Sequence, residues 1–205
     1  MKKIYLARHG QDEDNVLGIL NGHRDQPLSA LGEQQVHNFA KQLKELNLGI
    51  KKIYCSPLQR AYTTALEVTK ILELEDPEKN DLLIERDFGI LTGQPSSNID
   101  KFDRSNIIQS ASIAYFLEAE GAETFPQLIE RAKKILLWLE NTDKHDTILL
   151  VCHGDIGKMI YSAFYKIDWK QALTEFDFSN TEVILLEDGA RKDERIVYQA
   201  EIITI

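Results

Sequence analysis

Two hydrophobic periods interleave along the chain. Short unbroken apolar runs, "KIYLA" over Lys3–Ala7, "KKIYC" ending at Cys55 and "DTILLVC" ending at Cys152, read as strands buried on both faces. Between them the period changes to that of a helix. After a cap at Ser29, Val36, Phe39, Ala40 and Leu43 recur at helical spacing, and Gly49 lies beyond the end. "SPLQRAYTTALEVTKIL" predicts a second helix, with Ser56 as cap, Pro57 at the first helical position and Gln59 completing a capping box. Its inward stripe is Leu58, Ala61, Tyr62, Ala65, Val68 and Leu72. Thr124 and Gln127 form a further capping box, opening a helix to about Glu140 with Leu128, Ala132, Ile135, Leu136 and Leu139 inward. "HGDIGKMIYSAFY" follows the third strand as a helix. "LLIERDFGILTG" reads as a short strand or extended turn, and "NTEVILLED" with "RIVYQAEII" as a closing strand pair around Asp188 and Gly189.

Strands alternating with helices predict an α/β fold with a largely parallel sheet and helices on both faces. No repeat, linker or low-complexity tract divides residues 1–205, so one domain is expected. Residues 95–122 are less regular. "SIAYFLEAEG" predicts a helix and the rest a loop, together an insertion over the active site.

The bulk numbers narrow the partners. The chain is 43% hydrophobic and 28% charged, with a formal charge of −9. That balance argues against nucleic-acid and anionic-membrane surfaces. An anion must be caught by a local group of cations and amides. Two cysteines make no disulfide scaffold, the N-terminus lacks the h-region of a signal peptide, and no apolar run spans a bilayer. A cytoplasmic protein with reduced thiols is expected.

In open α/β sheets ligands bind beyond the carboxyl ends of the strands. Three such ends carry unusual polar residues: Arg8-His9-Gly10, Cys55-Ser56-Pro57 with Arg60 one turn on, and Cys152-His153-Gly154-Asp155. Glu85 and Arg86 arrive on a fourth, extended piece. Brought together, they make an anion site with a nucleophile and an acid inside it. The helix N-terminus after His153 offers amides as a phosphate seat. Arginine forks match phosphate oxygens, and a neutral imidazole can attack phosphorus. Neighbouring Arg8 and Arg60 favour that neutral form. A glutamate can protonate the leaving oxygen and then activate water. Taken singly, each residue has a plainer reading: His9 as a core histidine bonded to a carbonyl, Arg60 as a surface ion pair, Asn15 as a turn cap, Ser56 as a helix cap, Arg24 and Asp25 as loop structure. His23 reads as a solvated loop histidine. No H-x-x-x-H spacing suggests zinc.

The ordered motifs "RHG", "SPLQRAYTTA", "ERDFG" and "VCHGD", with "GHRDQPLSALGEQQ" and "GAETFPQLIERA" between them, resemble the histidine phosphatase superfamily, also called phosphoglycerate mutase-like, on its phosphatase branch. The resemblance runs over nearly the whole chain. It implies a three-layer α-β-α sandwich with a mostly parallel mixed sheet and a small helical insertion. It implies His9 as the phosphorylated nucleophile, Glu85 as general acid and base, and Arg8, Arg60 and His153 on the phosphoryl oxygens. Asn15 and the Gly154 amide assist, and Gln11, Gly22 and Asp155 join the phosphate-binding set. No metal and no cofactor are implied. The partner expected is a small phosphorylated metabolite; a homodimer is left open.

Two departures stand out. Gln11-Asp12 follows "RHG" where a Glu-Thr pair is usual, and "CHGD" replaces "SHGG". Carboxylates at Asp12, Glu13 and Asp14 would oppose an anionic substrate, so they are expected to face solvent. The insertion offers only Lys101 and Arg104 against Asp100, Asp103, Glu118 and Glu120. That favours a phosphoric monoester hydrolase over a bisphosphoglycerate-dependent mutase. A non-catalytic phospholigand-binding domain is the third reading.

Overall fold

The computed structural model describes residues 2–187 and the backbone of residues 197–198. A six-stranded sheet runs in the order β3-β2-β6-β1-β7-β8. β1 (Lys3–Arg8) and β6 (Thr147–Cys152) are its parallel centre, with Arg8 opposite Cys152. β2 (Lys52–Cys55) and the short edge strand β3 (Glu78–Lys79) continue the parallel half. β7 (Val183–Leu186) runs antiparallel to β1, and β8 (Val197–Tyr198) antiparallel to β7. The predicted closing pair is therefore present, while its turn at Asp188 and Gly189 lies outside the described residues.

Alternate residues of the central strands serve opposite layers, as a pleat requires. Tyr5, Ala7, Leu149 and Val151 pack under α2 (Ala30–Leu46) and α3 (Gln59–Leu72), against Phe39, Leu43, Ala65 and Val68. Ile4, Leu6, Ile148 and Leu150 pack under α4 (Phe125–Thr142), α5 (Gly154–Tyr165) and α6 (Trp169–Glu175), against Leu128, Ile135, Ile156 and Met159. This is a three-layer α-β-α sandwich with a mostly parallel sheet. The short helix α1 (Glu13–Leu17) follows the first strand, and α6, not foreseen from the sequence, is capped by Asp168.

Caps explain most helix starts. Ser29 accepts from the Gly32 amide, and Thr124 with Gln127 forms the predicted capping box. Ser56 does not cap α3. Residues up to Leu58 stay extended, the Ser56 hydroxyl accepts from the Leu58 amide at 3.3 Å, and the Gln59 amide donates to Asp25 at 2.5 Å. A distant loop carboxylate has replaced the local cap.

The helical part of the insertion is 3₁₀, at Ser96–Lys101 and Arg104–Asn106, and the stretch predicted as a helix is not one. "SIAYFLEAEG" contains β5 (Ala114–Phe116), paired in a hairpin with β4 (Ile107–Gln109), and the rest is held by short 3₁₀ turns. The alternation decides it: Phe116 packs with Phe88, Leu91 and Ile99, whereas Tyr115 turns the other way, toward Phe125.

Candidate active site

The end of β1 is fastened on all sides. The His9 amide donates to the Cys152 carbonyl (3.1 Å), the Gly10 amide to the Thr64 hydroxyl (3.1 Å), and Asn180 Nδ2 to the His9 carbonyl (2.9 Å). His9 is buried, 5.0 Å from His153 between ring centres. Its Nδ1 lies 2.6 Å from the Gly10 carbonyl. A carbonyl can only accept, so Nδ1 carries the hydrogen and Nε2 the lone pair. Burial first, then Arg60 and Arg8, hold His9 well below the usual imidazole range.

His153 has the complementary tautomer. Arg60 Nε donates to its Nδ1 at 3.2 Å, so the hydrogen sits on Nε2. That buried Nε2 has no hydrogen-bond partner among the described residues. Burial and the same arginines keep this ring neutral too.

Arg60 is wholly buried. Its Nη1 donates to the Arg24 carbonyl (2.6 Å), its Nη2 to that of Gly22 (2.8 Å), and its Nε faces Asp12 Oδ2 at 3.2 Å. With five N–H groups, it keeps one on each terminal nitrogen. Asp12 thus does not face solvent. It is fully buried, caps α1 through Asn15, receives Asn21 Nδ2 at 2.6 Å and neutralises Arg60. Asp14 is buried as well, paired with Arg24 at 2.8 Å; only Glu13 is exposed. The acidic loop can sit beside an anion site because its two buried carboxylates are matched to guanidinium groups.

Glu85 occupies the amides expected to seat phosphate. Its Oε1 accepts from Arg86 (2.9 Å) and Ile156 (3.1 Å), and its Oε2 from Asp155 (3.3 Å). Of the opening of α5, this leaves the Gly154 amide for a ligand. A Cβ at Gly154 would make ordinary contacts, 3.7 Å from Glu85 Oε2 and 3.8 Å from Arg8. Burial and then Asp155 push the Glu85 carboxyl above its ordinary range, against the pull of the amides. Arg131 donates to the carbonyls of Leu82, Ile84 and Glu85, and His23 bonds the Glu85 carbonyl at 2.8 Å. His23 is thus a brace for this segment, not merely a loop histidine.

Arg8, Asn15, Glu85, Gly154 and Asp155 line one cavity of about 160 Å³, with Arg86, Tyr115, Lys158 and aromatic walls. Arg8 donates Nη1 to the Phe178 carbonyl at 2.7 Å, and its buried Nε has no partner among the described residues. His9, Arg60 and His153 do not line this cavity; they are buried beside Arg8. Gln11 is elsewhere: its Oε1 accepts from Ser29 at 2.8 Å and its backbone N–H donates to Gln35 Oε1 at 2.9 Å, so it serves the start of α2. Gly22 contributes a carbonyl to Arg60 and does not line the cavity; a Cβ there would meet the Phe88 ring at 3.2 Å. Asp155 is in the wall, but as a carboxylate paired with Arg86 at 2.8 Å. Among the described residues no three His, Cys, Asp or Glu side chains are grouped to hold a metal.

Sequence reasoning missed Arg131, Asn21, Asn180 and Tyr115. Arg131 lies within "GAETFPQLIERA", a stretch already notable for its resemblance; nothing local marks the others.

A family model described as the histidine phosphatase superfamily (branch 1) matches residues 4–198. The chain is 29% identical over 168 residues to phosphoserine phosphatase 1 of Hydrogenobacter thermophilus, covering 82% of this chain and 78% of that protein. It is 25% identical over 184 residues to the 2,3-bisphosphoglycerate-dependent phosphoglycerate mutase of Bartonella henselae, covering 85% and 86%. Among solved structures, the phosphoserine phosphatase of Entamoeba histolytica in complex with 3-phosphoglyceric acid superposes with a TM-score of 0.74 at 25% identity, over 90% of each chain.

Proposed function

The chain belongs to the histidine phosphatase superfamily, and from that premise we propose that it hydrolyses a small-molecule phosphate monoester through a phosphohistidine on His9. The observation that carries this reading is the pair of neutral imidazoles with opposite tautomers. His9 presents a lone pair on Nε2, and His153 holds a buried Nε2–H without a partner among the described residues, the two ring centres 5.0 Å apart.

The two steps balance. The Nε2 lone pair of His9 forms a bond to phosphorus while the bond to the leaving oxygen breaks, and Glu85 gives that oxygen its proton. Water then attacks phosphorus, Glu85 takes the water proton, and the N–P bond breaks to release phosphate. Transition-state charge falls on the equatorial oxygens, and in this reading Arg8, Asn15, the Gly154 amide, His153 Nε2–H and the remaining Arg60 N–H groups receive it. The raised Glu85 carboxyl holds its proton to a higher pH than an ordinary glutamate, which suits it to donate one.

The test is turnover of 4-nitrophenyl phosphate with and without EDTA, with acid-labile phosphate sought on the protein after quenching. His9→Ala is expected to lower kcat by at least about 10³-fold and abolish the label. Activity that survives His9→Ala, or that disappears with EDTA, overturns the mechanism.

A mutase needs extra cations to hold a second anionic group. Lys101 and Arg104 of the insertion are exposed and absent from the cavity wall. That favours water as acceptor. Interconversion of monophosphoglycerates in a coupled assay, faster than hydrolysis, would reverse the choice.

A further inference from the structure

We propose that Tyr115 and Asp155 form a subsite that selects an uncharged, hydroxylated leaving group and rejects one bearing a second anion. This rests on the phosphatase reading above and specifies its substrate class.

Tyr115 lines the cavity from β5, and its buried hydroxyl has no hydrogen-bond partner among the described residues. Its ring is held edge-on against Phe125 at 6.1 Å and by the Lys158 ammonium 5.3 Å from its centre. Buried polar groups in folded proteins are nearly always bonded, so a phenol left without a partner in a ligand cavity is a donor kept for the ligand. Asp155 lines the same cavity. One of its oxygens faces Arg86 Nε at 2.8 Å, leaving the other as an acceptor. A donor and an acceptor in one wall match neighbouring hydroxyls, one oxygen accepting from Tyr115 and the other donating to Asp155.

Of the cations in the wall, Arg8 is kept for the phosphoryl group, and Arg86 and Lys158 are held by the protein itself. Arg86 is paired with Asp155, donates to the Phe116 carbonyl at 3.0 Å, and lies 4.0 and 4.1 Å from the ring centres of Phe116 and Phe125. The buried Lys158 ammonium donates to the carbonyls of Phe176 and Leu173. A carboxylate on the leaving group would therefore face the like charge of Asp155, whose partner Arg86 is already paired with it. Phe88, Phe116 and Phe178 give the rest of the wall apolar faces suited to C–H groups.

Glycerol 3-phosphate and 3-phosphoglycerate make a matched pair, differing by a hydroxymethyl against a carboxylate. The readout is the ratio of their kcat/KM values, with 4-nitrophenyl phosphate as reporter of the chemical steps. The wild-type ratio is expected to favour glycerol 3-phosphate by at least about tenfold. Tyr115→Phe lowers that ratio about fivefold, through loss of one hydrogen bond. Asp155→Asn lowers it by about tenfold or more, because the repulsion acting on the carboxylate is gone. A wild-type preference for phosphoglycerate, or a ratio that moves less than about twofold in both variants, overturns the proposal. If 4-nitrophenyl phosphate is not hydrolysed at all, the phosphatase reading has failed separately. Calorimetric affinities of the two ligands then decide the subsite: tighter glycerol 3-phosphate upholds it and tighter phosphoglycerate overturns it.

Discussion

His9 and His153 are kept uncharged by burial and by the arginines around them, the state that the proposed roles of nucleophile and donor require. It also ties stability to pH. The unfolded chain takes up protons on both imidazoles below about pH 6.5, while the fold resists doing so. Lowered folded-state values mean that stability is lost as pH falls through that range. Each imidazole should contribute a slope of roughly 1 kcal/mol per pH unit between pH 6.5 and 5. Urea unfolding of the wild type across that range should show the decline, and His153→Gln should flatten it. Glu85 works with the opposite sign. Its carboxyl is raised by burial and by Asp155, so its charged form strains the fold above its titration and the strain is relieved as pH falls through it. Glu85→Gln should raise the melting temperature at pH 8 and not at pH 4, while kcat for aryl phosphate drops by about 10²-fold or more. A melting temperature at pH 8 below that of the wild type would contradict this account. At this scale the sequence was informative about identity and silent about partners: Arg8, His9, Arg60 and His153 stand out at strand ends, but that Asp12 neutralises Arg60 depends on contacts the sequence does not display.

Among the elements, α2 shows how closely the layers approach the catalytic loop. A Cβ at Gly32 would fall 1.9 Å from the Gln11 carbonyl, inside the backbone two residues past His9. Helix propensity alone predicts that Gly32→Ala stabilises. The contact with backbone, which cannot rotate away, reverses the sign. The variant should lose more than about 2 kcal/mol in chemical denaturation and lose activity with it, since α2 must retreat from the loop that aims His9. Elements whose caps and stripes are local were legible: α2, α4, α5 and the central strands form where patterning put them. The insertion was not. "SIAYFLEAEG" has helix-forming residues, yet cross-strand pairing of Ile107 with Phe116 and Ile108 with Tyr115 outweighs local propensity. The start of α3 was misread for a related reason, because Asp25, 34 residues away, supplies the cap.

For the whole molecule, the sheet separates groups that the sequence makes look adjacent. Cys55 and Cys152 end neighbouring strands, but Cys55 belongs to the layer under α2 and α3 and Cys152 to the layer under α4 and α5. Both are free and fully buried, and burial pushes the Cys55 thiol up to about 12 and that of Cys152 higher still. A disulfide-exchange reagent should therefore label neither thiol in the native protein and both after denaturation; rapid labelling of either without unfolding would contradict the packing. The net charge of −9 likewise says little about the site, where cations converge in a cavity of about 160 Å³. Patterning and residue type by themselves determined the α/β class, the strand ends that carry chemistry, and the family, because these are properties of short windows and their order. Only the tertiary structure decided which tautomer each histidine holds, that Glu85 sits on the amides of α5, and that Asp155 and Tyr115 line one cavity. Those are outcomes of distances between segments tens of residues apart, fixed when burial forces each polar group to find a partner or go without one.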